Sequence, residues 1–246
     1  MQKPNHPTAA LLIIGAEILS GKVEDENGPF LIRALRNRGV RLAEIRVLDD
    51  VVDVISKSVR QLHPLVTHLF TTGGIGPTHD DVTISAIADA LGRKVVRHPD
   101  LIRKLEERYG DQLNEARLRL AEIPEGATMR LAEPVPVPVI TVENVTIFPG
   151  VPALMRLCFE QVADTLSSSQ IFSRSIFVNR SEGDLAGPLR RIQQAHPDVA
   201  IGSYPRYDDA PYRVKVTIDG HEEGAVDRAL EAIQDDLRPE WIVGEP

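Results

Sequence analysis

Between Ala9 and Leu166 short β-branched runs alternate with stretches of helical periodicity, the pattern of a sheet flanked by helices. Ala9 to Ile14 is an apolar run of strand length. From about Asn27 the residues Phe30, Leu31, Ala34 and Leu35 share one helical face, which stops at Gly39, a residue suited to a left-handed helix end. A second strand runs through Ile45 and Val47. Val52, Ile55, Val59 and Leu62 repeat at helical spacing, and Leu65 to Thr72 reads as a third strand entering Gly73 and Gly74. A third helix carries Ile84, Ile87, Ala88 and Leu91 and stops at Gly92. A fourth starts at Pro99 and ends near Gly110 or continues, bent, to Ala121. Val137 to Val142 and Val145 to Phe148 are β-like and lead into Pro149-Gly150-Val151-Pro152 and a helix through Leu166. Pro134, Pro136 and Pro138 alternate, which places any strand there at a sheet edge, where missing N–H donors are tolerated.

Ser167-Ser168-Ser169 marks a joint, so the expected domains are residues 1–168 and 169–246. After the joint the pattern becomes a β-α-β-β-α unit. Val214, Val216 and Ile218 alternate with Arg213, Lys215 and Thr217, as in a strand with one buried face. Val226, Ala229, Leu230, Ile233 and Leu237 form the closing helix.

Composition narrows the class. With 246 residues, 42% hydrophobic and 26% charged, the chain can bury a proper core and reads as folded and soluble. A net charge of −8 without a basic block argues against nucleic acid as a partner. Cys158, the single cysteine, supplies neither an internal disulfide nor a thiolate metal site and reads as a small buried hydrophobe. Ala9 to Ile14 is too short for a membrane span or a signal core, so the expected address is the cytosol and no membrane partner is expected.

The strongest chemical signal is Thr72-Gly73-Gly74-Ile75-Gly76-Pro77-Thr78-His79-Asp80-Asp81-Val82-Thr83, between a strand and a helix. Glycines let backbone amides approach a ligand closely, and free N–H groups at a helix start favour an anion, phosphate above all. The spacing is neither that of a P-loop nor of a dinucleotide fingerprint. Asp80 and Asp81 behind such a cradle suggest a divalent cation between carboxylate and phosphate. Equally, Thr78 with Asp81 three residues on is the spacing of a capping box. His79 is either a phosphate donor or a plain loop histidine. In open α/β sheets ligands sit beyond the carboxyl ends of the strands. The segment Gly15 to Asn27 also leaves such an end, so the two loops should face one crevice. There Glu17, Asp25 and Asn27 offer oxygen ligands, or Asp25 and Asn27 cap the next helix. Asp49 and Asp50 could reach the same rim or sit in a solvated turn.

Gly15-Ala16-Glu17-Ile18-Leu19-Ser20-Gly21, Asp25-Glu26-Asn27, the glycine loop and Pro149-Gly150-Val151-Pro152 resemble the molybdopterin-binding (MoaB/Mog-like) domain, in the form found at the N-terminus of competence/damage-inducible protein A. Asn144 to Pro152, Ile201-Gly202-Ser203-Tyr204-Pro205 and Tyr212 to Val216 are similar to the molybdopterin-binding-like half of FAD synthases. The resemblance implies an α/β three-layer sandwich with a mostly parallel sheet, followed by a small α+β domain. It implies hydrolysis of a nucleotide pyrophosphate, ADP-ribose or FAD, with a divalent metal (Mg, Mn or Co) and potassium. Nicotinamide mononucleotide deamidation and FMN adenylylation belong to further domains of the larger relatives and are not expected. Asp81, Glu17 and Asp49 are the implied catalytic residues. Gly73, Gly74, Gly76, Thr78, Asn27, Pro149 and Gly150 are implied for phosphate or nucleotide, and Asp81, Asp25 and Glu17 for metal. The alternatives are molybdopterin binding with adenylylation, or a nucleotide- or pterin-binding module without turnover. A homo-oligomer is expected, with Val135 to Val139 as a pairing edge. One departure stands out: Pro134-Val135-Pro136-Val137-Pro138 occupies the place of a G-x-A-P-G segment.

Overall fold

The computed structural model describes residues 7–131, 137–166, 171–208 and 211–244. The chain divides into two compact units, residues 1–168 and 169–246. The first opens with β1 (Thr8–Ile14), a single-turn helix α1 (Ala16–Leu19), α2 (Asn27–Arg36), β2 (Arg41–Leu48), α3 (Val52–Leu62) and β3 (His68–Thr72). It continues with α4 (Thr83–Ala90), β4 (Val95–Arg97), α5 (Pro99–Tyr109), α6 (Glu115–Leu118), β5 (Glu122–Pro124), β6 (Thr128–Arg130), β7 (Val139–Val142), β8 (Val145–Phe148) and α7 (Pro152–Ala163). Six strands form one sheet in the order β2-β1-β3-β8-β7-β6, and β4 pairs with β5 apart from it. The first four strands of that order run parallel, whereas β8, β7 and β6 pair antiparallel.

Every residue of β1 is buried, because its alternate side chains enter two different cores. Ala9, Leu11 and Ile13 meet Leu31 and Leu35 of α2 and Met155 and Phe159 of α7. Ala10, Leu12 and Ile14 meet Ile55 and Val59 of α3 and Ala86 and Ile87 of α4. Helices on both faces of a largely parallel sheet make the expected three-layer α/β sandwich, and they explain why β1 reads as a continuous apolar run. At roughly 1.5–3 kcal/mol for each fully buried large aliphatic or aromatic side chain, the two cores anchor the strand ends that carry the loops. Cys158 lies in the first core, fully buried, and burial pushes its thiol up to about 11. It is an inert hydrophobe at neutral pH.

Several boundaries differ from the sequence expectation. The third strand starts at His68, since Leu65 closes a 3-10 turn and is 72% exposed. The fourth helix ends at Tyr109, where Gly110 takes a positive φ of 47°, and α6 is a separate turn. The strand expected from Val137 begins at Val139, after Pro138. It is not an edge strand, because β6 pairs with it on the side away from β8. Pro134, Val135 and Pro136 lie outside the described residues.

The second unit comprises β9 (Phe172–Val178), α8 (Glu182–Ala195), β10 (Val199–Pro205), β11 (Val214–Gly220), α9 (Glu223–Asp236) and a two-residue β12 (Ile242–Val243). Its antiparallel sheet has the order β10-β11-β9-β12. Val214, Val216 and Ile218 face a core with Val226, Ala229 and Ile233 of α9. The unit is thus the expected β-α-β-β-α with β12 added.

Candidate functional site

The parallel strands leave the sheet at one level. Ile14 pairs with Leu48, Ile13 with Thr72 and Thr72 with Phe148, so the segments starting at Gly15, Asp49, Gly73 and Pro149 emerge side by side. The strand order reverses direction between β1 and β3, the switch point at which open α/β sheets bind ligands. The exits pack backbone against backbone. Gly73 has φ +97°, and a methyl group there would run into the Ile14 carbonyl oxygen. A Cβ on Gly150 would stand 3.2 Å from the Gly73 Cα.

Gly74 also has a positive φ, of 64°, and its carbonyl accepts the Thr83 N–H at 3.0 Å while the Thr83 hydroxyl donates to the Gly73 carbonyl at 2.9 Å. The loop is thereby tied to the start of α4. Among the described residues the N–H groups of Gly74, Ile75 and Gly76 find no acceptor, and consecutive free amides in such a turn form an anion-binding concavity. Asp81 does not cap α4, which begins only at Thr83 with Val82 before it. The capping-box expectation fails because Asp81 serves the loop itself: it accepts the Thr78 N–H at 2.8 Å and the Thr78 hydroxyl, lying over Gly76, where a Cβ would come within 2.6 Å of its Oδ2. From outside, the Arg119 guanidinium donates to the carbonyls of Pro77, Thr78 and Asp81, the last at 2.9 Å. His79 is almost fully exposed, near Asp80.

The acidic segment is ordered by its own carboxylates. Asp25 accepts the N–H groups of Asn27 and Gly28 at 3.0 and 3.1 Å, which caps the first turn of α2. Glu17 folds back over Gly15, where a Cβ would meet its Oε1 at 2.5 Å. Asp50 accepts the Ala16 N–H at 2.7 Å, and a Cβ on Gly74 would lie 3.4 Å from Asp50 Oδ1. Asp50 therefore stands between the two loops. Burial raises its carboxyl above the usual range. The Ala16 N–H opposes this, and the charges of Glu17, Asp80 and Asp49 reinforce it. Asp49 is exposed and turns to its neighbour's N–H at 2.9 Å.

Glu17, Asp25, Asn27, Gly73 and Gly150 line one hollow of about 100 Å³, so the two loops share a crevice. Gly76, Thr78 and Asp81 are outside that hollow, along the glycine loop, and the Pro149 carbonyl is occupied by the Thr72 hydroxyl at 2.9 Å. Among the described residues no three His, Cys, Asp or Glu side chains are gathered so as to hold a metal ion. Asp81 and Asp25 accept backbone N–H groups, and Glu17 lies over Gly15. Asp50, Thr72 and Arg119 carry more of the architecture than their sequence signals suggested. The second unit holds a separate, broader hollow of about 590 Å³ near Arg206 and Tyr212, in which the Arg206 guanidinium is engaged by Asp208 and the Tyr212 hydroxyl.

Residues 10–168 match a family described as a probable molybdopterin binding domain, and residues 170–246 match the middle domain of FAD synthase. A protein of Archaeoglobus fulgidus is 30% identical over 92% of this chain and 96% of its own length. A probable FAD synthase of Caenorhabditis elegans is 30% identical over 96% of this chain, which spans 50% of that enzyme. A CinA-like protein of Thermotoga neapolitana is 28% identical over 92% of this chain and 57% of its own length. Among solved structures, CinA of Thermoplasma acidophilum superposes with a TM-score of 0.62 at 26% identity, over 66% of this chain and 99% of that one. The chain belongs to the family described as a probable molybdopterin binding domain.

Proposed function

We propose that the crevice binds a diphosphate-bridged nucleotide of the ADP-ribose or FAD type and hydrolyses its pyrophosphate bond, releasing AMP. The observation that carries this reading is the run of acceptor-free amides at Gly74, Ile75 and Gly76 beside the raised carboxylate of Asp50. The amides hold one phosphate and stabilise the charge that develops on it. Water attacks phosphorus and gives up a proton to a rim carboxylate, for which Asp50 is suited by its raised affinity for protons. The P–O bond to the bridging oxygen breaks, leaving AMP and ribose 5-phosphate from ADP-ribose, or AMP and FMN from FAD. Asp81 keeps the amides in place through Thr78. A divalent cation belongs to this proposal as the counter-ion that accompanies the diphosphate, as Mg²⁺ does at many phosphate sites.

The experiment is product analysis by mass spectrometry on the purified full chain with ADP-ribose or FAD and Mn²⁺ or Co²⁺. AMP release is expected, and Asp81→Asn should slow it at least tenfold while the fold persists. Absence of AMP from both substrates, or an unchanged rate in the variant, overturns the proposal.

A further inference from the structure

Among the described residues β2 is an edge of the six-stranded sheet and pairs with β1 alone. It is eight residues long, against three for β6 at the opposite edge, and it contains neither Pro nor Lys, residues that guard many sheet edges. The Leu48 carbonyl accepts the Gly15 N–H at 3.0 Å. Alternation along the strand then turns the backbone polar groups of Leu48, Arg46 and Glu44 toward β1 and those of Ile45 and Val47 outward. Ala43 has no partner in β1. Ile45 and Val47 are each 39% exposed. They pair with Leu11 and Ile13, which puts them on the α2 face of the sheet, while Glu44 and Arg46 lie on the α3 face. A long edge with apolar side chains and outward N–H and C=O groups is a template for another strand.

The order of side chains decides which strand fits. Two copies of β2 can run antiparallel about a two-fold axis, and outward polar groups must then meet outward polar groups, so the axis passes through a residue. Through Glu44 or Arg46 it would set like charges against each other. Through Val47 it would set Ile45 against Asp49 and Arg46 against Leu48. Through Ile45 every pair matches: Glu44 meets Arg46, Ile45 meets Ile45, Ala43 meets Val47, Leu42 meets Leu48 and Arg41 meets Asp49. We infer that two copies of this chain join edge to edge through β2, about an axis at Ile45, so that their two six-stranded sheets become one. Ile45 exchanges both its N–H and its C=O with its counterpart. Glu44 and Arg46 already bridge within one strand at 2.7 Å, with Arg46 also reaching Gln61, and the paired edges gather both bridges into one cluster of alternating charge. The exposed Arg41 of the second copy comes opposite Asp49, at the rim of the crevice.

Sedimentation velocity on the full chain tests this, with circular dichroism confirming that each variant is folded. The unaltered chain should sediment at micromolar concentration as a dimer or a larger even assembly. Glu44→Arg sets only positive charge across the axis and Arg46→Glu only negative, so each alone should raise the dissociation constant of the pair about tenfold or more. Mixed one to one, the two variants should associate again, because a positive β2 then faces a negative one. Each variant keeps like charges within its own strand, so recovery on mixing cannot come from a repaired intrachain bridge. Ile45→Lys, at an exposed position, brings two ammonium groups together on the axis and should also separate the copies; it carries the test alone if a charge variant unfolds. A monomeric unaltered chain, an assembly of any size that Ile45→Lys leaves unchanged, or folded charge variants that fail to associate on mixing would overturn the inference.

Discussion

The Thr72 hydroxyl donates to the Pro149 carbonyl and accepts from Asn27, so one side chain clamps the exits of β3 and β8 to the start of α2. Thr72→Val keeps the shape and removes both bonds. It should cost about 1–3 kcal/mol, the range for buried groups left unpaired, read as a lower urea midpoint. Asp50 bears on pH. Its folded-state pKa is raised, so protonation favours the folded chain, and this contribution fades as pH climbs from the ordinary carboxylate range through the raised value. Asp50→Asn can still accept the Ala16 N–H. Its stability relative to the unaltered chain should therefore rise between pH 3.5 and pH 7, in urea titrations at each pH. The glycines and Asn27 were legible in the sequence because strand-end glycines have few other uses. Thr72 was not, since a β-branched residue in a strand reads as filler. Nor do Asp49 and Asp50 differ in sequence signal. Only the backbone decides that one reaches Ala16 and the other its neighbour's N–H.

Among elements, the glycine loop depends on a residue 38 positions beyond Asp81. Arg119 follows α6 and grips three loop carbonyls, an association no local pattern announces. Arg119→Met should raise the dissociation constant for inorganic pyrophosphate roughly tenfold, since charged hydrogen bonds contribute about 1.5–3 kcal/mol and much of that holds the amides in place. Calorimetry checks this, and a loss of stability with unchanged affinity would assign Arg119 to the fold alone. The long elements were readable: β1, α2, α3, β8 and α7 each bury a continuous run or a clear helical stripe. The three-residue strands β4, β5 and β6 were missed, because three residues are too few to show alternation and Pro124 closes one of them. The Thr78 and Asp81 spacing left a helix start open as one of two readings, but the same side-chain bonds serve a loop when the chain runs on to Val82 before turning helical.

At the scale of the molecule, two units with separate cores are joined near residue 168, and each matches its own domain family. The crevice lies within the first unit, built from the exits of the parallel strands β1, β2, β3 and β8. No helix among the described residues is long and apolar enough to cross a membrane. Under the proposed function the Gly15 to Asn27 segment and the Gly73 to Thr83 segment close jointly on one ligand. Hydrogen exchange followed by mass spectrometry, with and without ADP-ribose, tests it most directly. Slowed exchange is expected in both segments at the same ligand concentration, with residues 169–246 unchanged. Protection of one segment alone, or protection centred on the second unit, would contradict it.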